Sequence, residues 1–243
     1  MKSTKIEWTD KTWNPVTGCT KLSAGCANCY AETMARRLCA MNQEKYKNGF
    51  HLTLHESVLE QPLSWQNSHN IFVCSMSDLF HEDVPFEFID KVLEVINATP
   101  RHRYQLLTKR AARMAEYFST CSIPKNVWLG VTVENKATIE RITILRTIPA
   151  EIRFLSCEPL LEDLGEVDFT NIHWIIVGGE SGKKARQMKE DWVLSIEKQA
   201  EVSDSAFFFK QWGTWGVDGV KRSKSANGKL LKGKIHQALP IKL

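Results

Sequence analysis

Three of the seven cysteines in this 243-residue chain, Cys19, Cys26 and Cys29, fall within eleven residues in the spacing C-x6-C-x2-C. Thiolates this close, on a loop whose Gly18 and Gly25 let the backbone fold back on itself, suit a soft metal centre such as zinc or an iron–sulfur cluster. The group has three members, not four. Structural zinc sites close with four protein ligands, whereas a cluster held by three cysteines leaves one iron open to an exogenous molecule. That open position points to catalysis. Cys39, Cys74 and Cys121 are isolated in sequence and read as packing residues. An odd number of thiols favours metal binding or reactive roles over a disulfide framework.

A second set of polar residues recurs where strands should end. Apolar, β-rich runs at Ile71–Cys74, Tyr104–Leu107, Val127–Val131, Ile152–Ser156, Trp174–Val177 and Ala206–Phe209 alternate with helical patterns at 88–96, 110–118, 136–145 and 192–200. A first strand should end at Trp13, before Pro15 removes a ladder donor, and a helix should start at Cys29. Alternating strands and helices predict an α/β fold of about seven βα-like units: a TIM-like full or partial (βα) barrel, with an open doubly wound sheet as the alternative. Barrels carry chemistry at the C-terminal ends of their strands. Those ends read Ser75-Met76-Ser77-Asp78, Thr108-Lys109-Arg110, Thr132-Val133-Glu134-Asn135, Ser156-Cys157-Glu158-Pro159, Gly178-Gly179-Glu180-Ser181-Gly182 and Lys210-Gln211-Trp212-Gly213. Helix capping accounts for Ser77, Thr108 and Thr132. It does not account for Lys109, Glu158, Glu180 and Lys210, since charges at a barrel mouth need partners or ligands.

Composition is that of a globular protein, with 43% hydrophobic and 25% charged residues. The N-terminus has no apolar signal-peptide core and no window reaches the ~18 apolar residues needed to cross a bilayer, so a cytoplasmic protein without a membrane segment is expected. Charge is uneven: residues 220–243 hold seven Lys/Arg and no acid, leaving 25 basic against 28 acidic residues elsewhere. The expected organisation is one barrel domain over 1–215, including the cysteine loop, and a basic extension over 216–243. Such an extension can track phosphates or remain a solvated terminus. Gly178–Gly182, followed by Lys183, Lys184 and Arg186, reads either as a phosphate-gripping turn or as a tight turn with a solvated basic start. His51 and His55 lie in an extended segment and are not read as a ligand pair.

The cysteine spacing resembles the radical S-adenosylmethionine superfamily, whose usual C-x3-C-x2-C is here lengthened in its first gap. More narrowly, Trp13-Asn14-Pro15, the three cysteines and Gly178–Gly182 resemble the phage Gp37/Gp68-like (DUF5131) family over almost the whole chain, a group with no established activity. The superfamily resemblance implies a [4Fe-4S] cluster on Cys19, Cys26 and Cys29, S-adenosylmethionine on the open iron and an external electron donor. The Gly-Gly-Glu segment that commonly holds the cofactor's amino group stands after the sixth strand instead of the second. Ser75, Ser77 and Asp78 at the second strand end are therefore assigned to the cofactor, with Ser77 and Asp78 receiving its ammonium. Lys109 or Arg110 would meet a carboxylate or phosphate. Tyr30 and Glu180 complete the cofactor set, Tyr30 standing one step beyond the usual aromatic position, which is Asn28 here. Glu158 and Cys157 are the catalytic candidates. Cys157 would give a hydrogen atom to a substrate radical, as a cysteine does in the spore photoproduct lyases, the other reading being a buried inert thiol. The substrate class expected is a nucleotide or nucleic acid. The alternatives are a zinc- or cluster-stabilised nucleic-acid-binding protein without catalysis, and a non-radical S-adenosylmethionine-dependent transferase.

Overall fold

The computed structural model describes Thr4 and residues 6–240. Residues 1–3 and 5, at the start of the expected barrel domain, and 241–243, at the end of the expected basic extension, lie outside the described residues. Seven strands form one sheet: β1 (Lys11–Trp13), β2 (Asn70–Val73), β3 (Arg103–Thr108), β4 (Val127–Thr132), β5 (Ile152–Cys157), β6 (Trp174–Gly178) and β7 (Ala206–Gln211), in the order of the chain. All six strands expected from apolar runs are present, and the first ends at Trp13. Pairing is parallel at β1–β2, with Lys11 opposite Ile71, at β2–β3, and at β5–β6 and β6–β7. The strand order never reverses, whereas a doubly wound sheet turns back at a switch point. The (βα) barrel class holds and the alternative falls.

The helices follow their apolar periods. They are α1 (Tyr30–Ala40), α2 (Phe86–Ala98), α3 (Ala111–Phe118), α4 (Glu140–Thr147) and α5 (Glu190–Val202). α2 buries Phe88, Ile89, Val92, Leu93 and Ile96, one stripe at helical spacing. β4 and β6 are buried at every position, as strands covered on both faces must be. α1 differs. The apolar positions that mark it as a helix face outward, with Tyr30 60%, Met34 42% and Met41 56% exposed, and it buries only Ala31 and Ala35. Two methyl side chains let its backbone come close to Met76.

The chain divides into two compact units. The first comprises Met1–Leu22, Cys29–Leu129 and Ile148–Glu151; the second comprises Ser23–Asn28, Gly130–Thr147 and Ile152–Leu243. In the first, Trp13, Tyr104, Phe80 and Tyr117 are fully buried; in the second, Trp174, Phe154, Phe169 and Phe209 are. The segment after Gly213 belongs to the second unit. It pairs antiparallel with β7 at Phe208 and Gln237, the Phe209 amide donates to His236 at 2.6 Å, and Trp174 Nε1 donates to the Ala238 carbonyl at 3.0 Å. Among the described residues no helix is long and apolar enough to cross a membrane.

Candidate functional site

In the first unit, the start of the cysteine loop is seated on the ends of β2 and β3. Asn14 Oδ1 accepts from Ser75 Oγ at 3.1 Å and from the Met76 amide at 3.2 Å. The Gly18 amide donates to the Met76 carbonyl at 3.1 Å, and Ser77 Oγ donates back to the Gly18 carbonyl. Gly18 has φ +78°, and a Cβ there would stand 2.2 Å from the His51 carbonyl oxygen, so no other residue fits. Tyr30 Oη donates to the Ser75 carbonyl.

Arg110 organises the next step. Its Nη1 lies 3.7 Å from Cys19 Sγ and 3.2 Å from Asp78 Oδ2, its Nη2 donates to Thr20 Oγ1 at 2.8 Å, and its Nε donates to Glu82 Oε2 at 2.5 Å. Burial works against its charge, but Glu82 and Asp78 outweigh it and push the guanidinium above its ordinary range. The same hydrogen bond holds the Glu82 carboxyl down at about 2. Asp78 also accepts from Thr108 Oγ1 at 2.7 Å and from the amides of Phe80 and Lys109 at 3.0 and 3.1 Å. Its carboxylate therefore fixes the end of β3 and the Arg110 head. His81, fully buried, accepts from the Asp83 amide through Nδ1 at 3.1 Å, which leaves Nε2–H to donate to Thr20 Oγ1 at 2.8 Å. Burial, then Arg110, lowers its pKa and keeps the ring neutral.

In the second unit, Glu134 after β4 is wholly buried and carries the turn before Cys26. Its Oε1 accepts from Ser23 Oγ and, at 3.2 Å, from the Gly25 amide; its Oε2 pairs with Arg141 Nη1 at 2.9 Å. A Cβ on Gly25 would meet that carboxylate at 2.8 Å, so glycine is what allows the approach. Glu180, after β6, accepts from Asn28 Nδ2 at 3.1 Å and from the Arg186 amide and Nε at 2.8 and 2.9 Å. Burial alone would raise the Glu180 carboxyl; the Arg186 and Asn28 donors outweigh it and lower it.

Glu158 pairs with Lys210 Nζ at 2.9 Å and accepts from Gln211 Nε2 and Ser156 Oγ at 3.5 Å. Gln211 is 7% exposed and its Oε1 is unpartnered. Successive residues of a strand point to opposite faces, so Cys157 does not share the face of Ser156 and Glu158. Cys157 is fully buried, and burial, followed by Glu158 and Glu134, pushes its thiol well above the usual range.

The donor chemistry of the loop fits an iron–sulfur cluster. Cys19, Cys26 and Cys29 are each partly exposed, Cys19 against a guanidinium and Cys29 at the N-cap of α1. Among the described residues no three His, Cys, Asp or Glu side chains are grouped so as to hold a single ion.

Within the first unit the structure thus brings together Tyr30 with Ser75, Ser77 with the residue before Cys19, and Asp78 and Arg110 with Cys19. Within the second it joins Glu180 to Asn28, and Glu158 to Lys210. Lys109 contributes its amide to Asp78. Asn14, Asn28, Glu134 and Arg141 were not singled out from sequence as site residues, and Arg186, read there beside a phosphate-gripping turn, pairs with Glu180. Glu134 carried a signal, being a strand-end acid flanked by Thr132 and Asn135.

A family model described as a protein of unknown function (DUF5131) matches residues 3–240. No curated protein matches the chain. Among solved structures, a cysteine-to-serine variant of spore photoproduct lyase is similar at TM-score 0.50 and 12% identity, over 82% of this chain and 63% of that one. Spore photoproduct lyase complexed with dinucleoside spore photoproduct matches at TM-score 0.46 and 12% identity, over 76% and 59%. A doubly substituted form with bound AdoMet and the same dinucleoside matches at TM-score 0.45 and 12% identity, over 78% and 60%. The chain spans about three fifths of the length of these lyases, and the likeness is one of fold.

Proposed function

The chain belongs to the DUF5131 family, and from that premise we propose that it is a radical S-adenosylmethionine-like iron–sulfur enzyme acting on a nucleotide or nucleic acid. The observation that carries the reading is the use of the charged strand ends. Arg110 sits on Cys19, Glu134 on the turn before Cys26 and Glu180 on the residue before Cys29, each contact made inside its own unit. Buried charges spent on positioning a short loop of thiols support a ligand-holding role for that loop, since packing alone would not need them.

Cys19, Cys26 and Cys29 would hold a [4Fe-4S] cluster. Bound there, it would supply the electron for reductive cleavage of S-adenosylmethionine, an external donor having reduced it. Arg110 donates to the Cys19 sulfur and orients it. Asp78 positions Arg110, and Ser77 positions Gly18. Tyr30, Ser75 and Glu180 border the loop and complete the cofactor assignment. Of the two catalytic candidates, Glu158 is the one on the face of Ser156, where with Lys210 it can accept and donate hydrogen bonds to substrate. Cys157 stays protonated, the S–H form that hydrogen-atom donation requires, but faces away from Glu158. The fold likeness to spore photoproduct lyase supports the class of enzyme. The cytoplasm is the compartment proposed, in keeping with an odd number of thiols, three of them closely spaced.

Anaerobic purification followed by iron and sulfide analysis tests the reading, with incubation in dithionite and S-adenosylmethionine while 5′-deoxyadenosine is followed. About four irons per chain and deoxyadenosine formation, both lost in Cys26→Ala, are expected. Zinc without iron would overturn the enzyme. S-adenosylhomocysteine or methylthioadenosine as product would replace it with a non-radical transferase.

A further inference from the structure

Two basic stretches far apart in the sequence form one surface in the second unit. Ser181–Lys189 holds Lys183, Lys184, Arg186 and Lys189 with no acid; residues 219–240 hold Lys221, Arg222, Lys224, Lys229, Lys232 and Lys234, again with none. Thr214 joins them. Its Oγ1 accepts from the Gly182 amide at 2.9 Å and donates to the Gly182 carbonyl at 3.3 Å, its own amide donates to the Glu180 carbonyl at 2.9 Å, and its carbonyl accepts from the Arg222 amide at 2.9 Å. Trp215 adds a second joint. Its Nε1 donates to the Ala185 carbonyl at 2.7 Å, while Lys221 Nζ lies over its ring at 4.6 Å.

The two arginines of the region each pair with a carboxylate, Arg186 with buried Glu180 and Arg222 with exposed Asp218. Lys183, Lys184, Lys221 and Lys224 are exposed, as are the Ser181, Ser223 and Ser225 side chains beside them. Flexible ammonium groups interleaved with hydroxyls match the groups that contact a nucleic-acid backbone, where most hydrogen bonds go to phosphate and sugar. A lipid surface would call for an amphipathic helix with an apolar face; the one helix here, Lys224–Asn227, is a single turn with no buried residue.

We propose that Lys183, Lys184, Lys221 and Lys224, held together by Thr214 and Trp215, form a sequence-independent binding surface for a nucleic-acid backbone. This narrows the substrate class of the function proposed above and in that respect rests on it. Its test needs no iron, so oligonucleotide binding by the metal-free protein would uphold the surface even where radical chemistry failed.

Fluorescence anisotropy with a labelled duplex and a labelled single strand, across a salt series, is the measurement. Four phosphate contacts predict a slope of log K on log salt of about −3.6 for duplex and about −2.8 for single strand. Duplex affinity should fall about 150-fold between 50 and 200 mM salt. K183A/K184A and K221A/K224A should each take about 1.8 from the duplex slope. T214V, or W215F should T214V not fold, should weaken binding at unchanged charge, because the two stretches part. Lys125→Ala with Lys198→Ala, two exposed lysines elsewhere, should leave the affinity within twofold. A slope shallower than about −1, an equal loss in the Lys125 and Lys198 control, or retention on phosphatidylserine vesicles without oligonucleotide binding would overturn the proposal.

Discussion

Glu134→Ala is the sharpest test of the idea that strand-end charges exist to seat the cysteine loop. The carboxylate is 0% exposed and its partner Arg141 only 12%. Removal takes away the acceptor for Ser23 Oγ and the Gly25 amide, charge-assisted bonds worth about 1.5–3 kcal/mol each. It also strands a buried guanidinium, a fault that costs about 3–5 kcal/mol. These losses overlap, and about 4 kcal/mol is the expected total. For a chain of this size that is a drop in Tm of about 8–16 °C. Denaturant unfolding of Glu134→Ala, Arg141→Met and the double variant closes a cycle. The double variant should be more stable than Glu134→Ala alone, because the uncompensated cation is gone, with a coupling above about 1 kcal/mol. In parallel, Cys26 should react faster with a thiol reagent in both variants lacking Glu134, since the Ser23–Gly25 turn is released in each. A loss below about 1 kcal/mol, or an unchanged Cys26 rate, would refute the reasoning.

Other outcomes follow from the same contacts. Arg110→Met should slow thiolate reactions of Cys19 at neutral pH and raise the pH at which that thiol reacts, measured by rate against pH; an unchanged profile would remove the guanidinium from the site. Glu82, held down at about 2 by Arg110, contributes stability that is complete above the ordinary carboxylate range and lost as pH falls through about 2. Glu82→Gln should therefore lower stability at neutral pH and flatten the acid limb of the stability curve below about pH 4.5, where the two proteins converge. Gly18→Ala, placing a Cβ 2.2 Å from a backbone oxygen at φ +78°, should destabilise by more than about 2 kcal/mol. Lys210→Met should lower substrate turnover more than uncoupled deoxyadenosine formation, since it leaves the loop contacts intact and strips Glu158 of its ion pair.

The strands were legible because each is a short apolar run stopped by polar residues, and α2, α3 and α5 because their core stripes are wide. The face of α1 was not. Its large apolar residues Tyr30, Met34 and Leu38 carry the helical period, yet contact with Met76 needs a close backbone, which only small side chains permit. The strand-end groups could be named from sequence but not paired. Asp78 reads as an ammonium receptor until Thr108, Lys109 and Arg110, thirty residues on, are seen to fill its oxygens. Asn28 and Glu180 stand 152 positions apart, and nothing local in either stretch announces the other. Glu134 was visible as an acid at a strand end, but its use depends on the Gly25 approach, which is a fact of three dimensions.

The monotonic strand order carries a consequence for biosynthesis. On a ribosome, β1 waits for β2, some sixty residues later, and their union with the Gly18–Ser77 bridge closes the first stretch of the cysteine loop before half the chain exists. The turn before Cys26 gains its anchor only when Glu134 emerges, and Asn28 only with Glu180. Between the emergence of Ser77 and that of Glu134, then, the loop is fastened at its Gly18 end alone. The turn that carries Cys26 is most accessible during that interval, and the anchors at Glu134 and Glu180 close it down afterwards.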